Sequence, residues 1–202
     1  MRKNIYLKKN ISLSYFKKNL FSKDKIKLTN IINNIFTSLD DKKDTFHSFS
    51  KKFDINFKIL ELKKFNNFKS VVIIGMGGSV LGAEAIYSFL NNKIKKKFYF
   101  IDNLDQLKIE KLKKKNRLKK NLFIIISKSG NTLETLINSN LFKDKINNKN
   151  TIIITEKKTN LLNSFANKKK ILQIDHKDYI GGRYSVLSEV GMIPAYFMGL
   201  KI

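Results

Sequence analysis

From residue 71 onward, short apolar runs return at intervals: VVIIG at 71–75, FYFI at 98–101, LFIII at 122–126, TIIIT at 151–155 and ILQI at 171–174. They are continuous rather than alternating. A strand with one wet face alternates apolar and polar residues, whereas a continuous run implies burial on both faces. Stretches of helical character follow the first four runs, near 79–91, 104–115, 131–142 and 159–167. Strands separated by helices predict the α/β class, with a doubly wound, mainly parallel five-stranded sheet in a Rossmann-like three-layer sandwich. That domain is expected over residues 70–202.

Residues 1–69 have a different character, polar and lysine-rich. Ile26, Leu28, Ile31, Ile32, Ile35, Phe36 and Leu39 recur at helical spacing and predict one helix; Phe53, Phe57, Leu60 and Leu62 suggest a second. An N-terminal helical segment therefore precedes the sheet domain, and 202 residues suffice for both. His47, alone in KKDTFHSFS, reads as a surface or packing residue.

In doubly wound sheets, ligands bind outside the carboxyl ends of the strands. The loop after the first run, GMGGSVLG at 75–82, holds four glycines in eight residues. Glycine lets backbone N–H groups approach a ligand without a Cβ in the way. Ser79 stands where the next helix should begin, either to cap it or to donate its hydroxyl to an anion at the positive helix end. A dinucleotide fingerprint is a weak alternative. Its third glycine would fall at Val80, and Asp102 lies 27 residues past Gly75 where about 20 is usual. A Walker loop fails, since no Gly-Lys-Ser/Thr follows.

The loop after the third run, SKSGNTLET at 127–135, offers donors from Ser127, Ser129, Asn131 and Thr132, charge from Lys128, and a turn at Gly130. The following helix adds free N–H groups and its dipole. A helix cap would need only one or two of these residues. Two such loops on one sheet edge favour a shared phosphate site. In IDHKDYIGGRYS at 174–185, Gly181 and Gly182 allow a sharp turn before Arg183, whose planar fork suits negative charge. His176 nearby has no defined partner in the sequence and reads as structural.

The net charge of +25, from 41 Lys+Arg against 16 Asp+Glu, would ordinarily suggest nucleic acid. Here the cations are scattered lysines without interleaved aromatics, so no nucleic-acid partner is expected. The densest run, KIEKLKKKNRLKK at 108–120, fits a solvated helix face. No apolar stretch reaches the roughly 18 residues of a membrane span, and the basic start lacks the apolar core of a signal peptide. With no cysteine, thiolate chemistry and cysteine metal sites are excluded. There is no acidic cluster of metal-binding type.

Together, GMGGSVLG, SKSGNTLET and DYIGGRYSVLSEVG resemble, in order, the glycine-rich loop, phosphate loop and arginine signature of the glycolytic phosphoglucose isomerase (glucose-6-phosphate isomerase) family. The SxSGxT core alone would indicate only the broader sugar isomerase (SIS) superfamily; the arginine signature narrows it. The matching region spans roughly 70–200. The resemblance implies that Gly78 and Ser79 face the sugar phosphate, that Ser127, Lys128, Ser129 and Thr132 bind the phosphate, and that Gly182 and Arg183 lie beside the reacting carbons. It implies interconversion of glucose 6-phosphate and fructose 6-phosphate through a cis-enediolate that Arg183 stabilises, with no metal or organic cofactor. It also implies a cytoplasmic homodimer. Glu134 and Thr135 match the motif, with supporting roles at most. Alternatives within the same superfamily are a phosphoglucose/phosphomannose isomerase or a sugar-phosphate-binding regulator.

Two departures stand out. Glu189 occupies a position where the family usually carries a small residue, and altered packing rather than altered chemistry is expected. The family's glutamate base, with the histidine and lysine tied to ring opening, lies in a second half without counterpart here, so this chain alone is expected to be inactive or nearly so. The apolar stretch VLSEVGMIPAYFMGLKI is expected to expose a patch that wants the missing half as its partner.

Overall fold

The computed structural model describes residues 20–114 and 121–202. The chain divides into two compact units, 1–52 and 53–202. In the first, α1 (Leu20–Asp40) carries the predicted helical pattern, with Ile26, Leu28, Ile31, Ile32 and Phe36 exposed. A 3₁₀ turn follows at Thr45–Phe49, where His47 is buried with Nδ1 2.7 Å from the carbonyl oxygen of Leu39. His47 is thus a packing residue.

The second unit holds a five-stranded, wholly parallel sheet: β1 (Ser70–Ile74), β2 (Lys97–Ile101), β3 (Asn121–Ile126), β4 (Thr151–Thr155) and β5 (Leu172–Asp175). Its spatial order is β2-β1-β3-β4-β5. The helices are α2 (Ile59–Lys63), α3 (Gly78–Leu90), α4 (Gln106–Lys114), α5 (Leu133–Leu141), α6 (Leu161–Lys169) and α7 (Glu189–Phe197). Continuous apolar strands require cover on both faces, and both faces have it. Val71, Ile73, Leu122, Ile124, Ile126, Ile152 and Ile154 pack with α2, α3 and α7 through Leu62, Val80, Ala83, Val190 and Ile193. Val72, Ile74, Phe123, Ile125 and Ile153 pack on the other face with Ile109, Leu112, Leu162 and Ala166 of α4 and α6 and with Phe142 after α5. Each fully buried isoleucine stabilises the fold by about 1.5–3 kcal/mol, and every residue of β3 and β4 is buried.

Several expectations change. The helix read over Phe53–Leu62 is short: only Ile59–Lys63 is helical, and Leu62 and Phe65 join the sheet's core. The division between units falls at 52/53, earlier than the change of sequence character at 69/70. The C-terminal apolar segment does not form an exposed patch. In α7, Val190, Ile193, Pro194, Ala195 and Phe197 are buried, with Val190, Ile193 and Phe197 in the core beneath the sheet. A helix that is apolar nearly all round is a buried helix, and α7 finds its partner within this chain. The lysines of α4 beyond the buried Ile109 and Leu112 face solvent as expected, while residues 115–120 of that run lie outside the described residues.

Candidate functional site

The strand order reverses direction between β1 and β3, since β2 lies to one side of β1 while β3, β4 and β5 continue on the other. Crossover helices there leave in opposite directions, and the crevice between them is where such sheets bind ligands. The loops leaving these two strands are the glycine loop and the SKSGNT loop.

In the glycine loop, α3 begins at Gly78 and Gly77 takes the cap position with φ +55, a conformation that favours glycine. Ser79 therefore sits inside the first turn rather than capping it, which leaves its hydroxyl for another acceptor or ligand. Val80, in place of the third dinucleotide glycine, is fully buried in the core. Asp102 is paired with Lys108 at 3.0 Å. Both observations weaken the dinucleotide reading further.

In the second loop, Ser127 is 2% exposed. Its Oγ lies 2.9 Å from Thr132 Oγ1 and accepts from the Gly130 N–H at 3.2 Å. Ser129 Oγ stands 3.4 Å from Thr132 Oγ1 and accepts from Asn131 N–H. The three hydroxyls thus converge on Thr132, at the cap position of α5. Thr132 makes no side-chain cap hydrogen bond to its own helix, so a plain helix cap does not account for the cluster. The first-turn N–H groups of α5 have no intrahelical partners, and an anion set there would meet them and the hydroxyls together. The loop is packed closely from behind. Gly130 has φ +69, and a Cβ on it would lie 2.1 Å from the Asn160 side chain. Asn160 caps α6 through the Asn163 N–H at 2.8 Å, and Leu162 N–H donates to the Gly130 carbonyl.

The chain after β5 crosses back over the carboxyl edge as a strap. The Lys128 ammonium donates to the Asp178 carbonyl at 2.6 Å and lies 3.6 Å from Glu156, which ties the SKSGNT loop to the strap. Further on, the 3₁₀ turn Gly182–Leu187 reaches the glycine loop. A Cβ on Gly78 would lie 2.1 Å from the Gly182 carbonyl oxygen and 2.7 Å from the Arg183 nitrogen. All three motifs are therefore brought together, with the arginine turn seated on the start of α3. The Arg183 guanidinium is exposed and rests 5.8 Å from the Tyr184 ring centroid, and among the described residues no carboxylate pairs with it. Gly182 is instructive in another way. A Cβ there would meet nothing within 4 Å, and its φ is not positive. Neither packing nor backbone strain calls for glycine at that position, which leaves room for an approaching ligand.

Sequence reasoning missed the polar frame around the strap. Glu189, at 0% exposure, accepts from the Asn56 N–H at 2.7 Å and lies 3.8 Å from the Lys177 ammonium, while its Oε2 has no partner. Burial pushes its carboxyl above the ordinary range, against the opposing pull of the Asn56 N–H and Lys177. Burial, with the nearby charge of Glu189, also pushes the Tyr179 hydroxyl up. His176 is 1% exposed; its Nδ1 lies 3.0 Å from the Lys177 carbonyl oxygen and its Nε2 is unpartnered. A carbonyl only accepts, so Nδ1 carries the hydrogen. Burial lowers this imidazole's pKa, although that hydrogen bond works the other way. Asn56 and Asn160 gave no distinctive signal, apart from the position of Asn160 just before a helical run. Among the described residues, no group of three or more His, Cys, Asp or Glu could hold a metal, and no helix is long and apolar enough to cross a membrane.

A doubly wound parallel sheet with these loops at its switch point defines a domain of the sugar isomerase (SIS) class. A solved structure of a hypothetical protein from Thermus thermophilus shares the fold with a TM-score of 0.72 at 23% identity, covering 91% of this chain and 46% of that one. A glucose-6-phosphate isomerase from Chlamydia trachomatis superposes with a TM-score of 0.59 at 28% identity, covering 69% of this chain and 28% of that one. The phosphoglucose isomerase family model matches residues 21–202. Glucose-6-phosphate isomerase of Methanocaldococcus jannaschii is 36% identical over 187 residues, covering 89% of this chain and 44% of that protein. The chain belongs to the phosphoglucose isomerase family. It spans less than half the length of the Methanocaldococcus relative.

Proposed function

We propose that this chain forms the phosphosugar-binding half of a glucose-6-phosphate isomerase, an aldose–ketose isomerase. The observation that carries this reading is the convergence of three motifs at the β1/β3 switch point, with the Ser127–Thr132 hydroxyl cluster on one side and Arg183 on the glycine loop at the other. The phosphate of glucose 6-phosphate or fructose 6-phosphate sits on Ser127, Ser129, Thr132 and the open N-terminus of α5, with Ser79 facing it from α3 and Lys128 adding charge from the side. Hydrogen bonds to a charged group of this kind are worth about 1.5–3 kcal/mol each.

The sugar then extends towards Gly182 and Arg183. In the isomerisation a proton moves between C1 and C2, and negative charge develops on the enediolate oxygens. A guanidinium held beside them stabilises that charge without reorganising during the step. The proton itself is moved by a carboxylate that the family resemblance assigns to the half not represented among these residues. We place the complete protein in the cytoplasm as a homodimer, on the family resemblance.

Titration of inorganic phosphate and fructose 6-phosphate into the purified chain, followed by amide chemical shifts, tests the reading. Shifts at Ser127–Thr132 with both ligands, and at Gly182–Arg183 with the sugar phosphate only, are expected. Unmoved resonances at 127–132 would refute it.

A further inference from the structure

The strap that carries Arg183 is held differently on its two sides. Beyond the arginine it is fixed by close packing of Val186: a Cβ on Gly82 would lie 2.8 Å from the Val186 side chain at Cγ2, and one on Gly191 would lie 1.9 Å from the Val186 carbonyl oxygen. Ser188 adds a hydroxyl bond to the Ser185 carbonyl at 2.7 Å. Before the arginine, Ile180 is buried, and polar ties are added to it. Lys128 reaches the Asp178 carbonyl, and the Lys177 ammonium donates to Asn56 Oδ1 at 2.8 Å and lies 3.8 Å from Glu189 Oε1. The ring of Phe53 also lies under the Lys177 ammonium, 5.2 Å from it.

Lys177 and Glu189 stand at the two ends of the strap, and Asn56 bridges them: its N–H donates to Glu189 Oε1 and its Oδ1 accepts from the Lys177 ammonium. The pair closes residues 177–189 into a loop with Gly182 and Arg183 in its middle. A carboxylate buried with one oxygen unpartnered is costly, so a merely apolar packing role would be better served by an apolar side chain. Resting on the reading above, we propose that Glu189 and Lys177 are positioning residues of the phosphosugar site: with Asn56 between them they clasp the strap and set where Gly182 and Arg183 stand over the start of α3. The hydroxyl cluster of Ser127, Ser129 and Thr132 is built from β3, α5 and α6 contacts that do not pass through Glu189, and only Lys128 beside it reaches the strap, at the Asp178 carbonyl. The clasp therefore acts mainly on the sugar end and reaches the phosphate end only through Lys128.

The test compares the chain with Glu189→Gln, Lys177→Met and Lys177→Arg, titrating inorganic phosphate and fructose 6-phosphate separately. Glu189→Gln keeps an acceptor for Asn56 and is expected to fold, which a thermal melt checks; Lys177→Met supplies an independent break of the clasp. Both should weaken fructose 6-phosphate binding by about three- to tenfold, the size of couplings within one hydrogen-bond network, and change inorganic phosphate binding by less than about twofold, since only Lys128 links that end to the strap. Lys177→Arg should restore most of the sugar-phosphate affinity. In a double-mutant cycle with Arg183→Ala, the loss from Glu189→Gln should shrink, because it acts through the arginine. Equal fructose 6-phosphate affinity in the parent chain and both clasp variants would overturn the proposal alone, as would a fully additive cycle. A parent chain that binds neither ligand would overturn the site reading and this proposal with it.

Discussion

Adding one methyl group at Gly78 should separate the arginine turn from the glycine loop. In Gly78→Ala the new Cβ would stand 2.1 Å from the Gly182 carbonyl oxygen, 2.4 Å from its carbon and 2.7 Å from the Arg183 nitrogen. A close carbon–oxygen approach is about 3.3 Å, so the deficit is roughly 1.2 Å. All three opposing atoms are backbone, and no side-chain rotation relieves the overlap. The strap must lift away from α3 by about 1 Å. Overpacking of this kind costs about 1–3 kcal/mol, which lowers Tm by about 2–12 °C in a chain of this size. A displacement near 1 Å at the reacting end costs on the order of 10²-fold in turnover. Circular dichroism melts of the chain measure the first effect. The second is measured as kcat/KM after the matching exchange in a full-length relative such as the Methanocaldococcus protein. In the chain itself, fructose 6-phosphate should lose affinity while inorganic phosphate does not. An unchanged melt together with unchanged fructose 6-phosphate affinity would refute the contact between the glycine loop and the arginine turn.

Gly182→Ala makes the complementary case. Its Cβ meets nothing within 4 Å, so the melt should stay within about 0.5 kcal/mol of the parent, while fructose 6-phosphate affinity falls because the methyl occupies the approach; undiminished affinity would show that no ligand passes there. Thr132→Val removes the hydroxyl on which Ser127 and Ser129 converge and should weaken inorganic phosphate binding by roughly tenfold or more, and calorimetry showing equal affinity would dismiss the cluster as a phosphate cradle. Glu189 gives a pH signature. Its carboxyl is raised above the ordinary 4.5 in the folded chain, so between 4.5 and the raised value the native state holds a proton that the unfolded state has lost. This group's contribution to stability is therefore greatest at acid pH and declines as pH rises through that window. Urea denaturation from pH 4 to 8 should show the decline in the parent and a flatter profile in Glu189→Gln, with the variant at least as stable at pH 7. Superimposable profiles would contradict the burial account.

The strands were legible because they are buried on both faces. TIIIT at 151–155 coincides with β4, and the other four runs agree with the observed strands to within a residue at either end. The helices between them were legible for the same reason, since a parallel strand needs a crossover. What could not be read was which surfaces meet. Periodicity does not say that the segment after β5 turns back across the sheet, so the contact of Gly78 with Gly182 appears only in three dimensions. The apolar character of α7 was plain, but its partner was not: it is the sheet face that carries Val71 and Ile73. Phe53 and Phe57 suggested helix by spacing, yet 53–58 is an irregular stretch whose Asn56 serves Glu189 and Lys177, more than 100 residues away. Lys128 was read for its charge, and the structure adds its tie to the Asp178 carbonyl. Motif residues announced themselves by type and spacing; the residues that hold them did not.

If these residues bind the sugar phosphate while the proton-transferring base lies elsewhere in the complete protein, binding and turnover should come apart in this chain. Incubating the purified chain with fructose 6-phosphate, and following both the amide resonances of Ser127–Thr132 and the formation of glucose 6-phosphate, tests this most directly. The expected result is saturable binding at the loop with no measurable turnover. Robust isomerisation by this chain alone would contradict it, because a competent base would then have to lie among its own 202 residues.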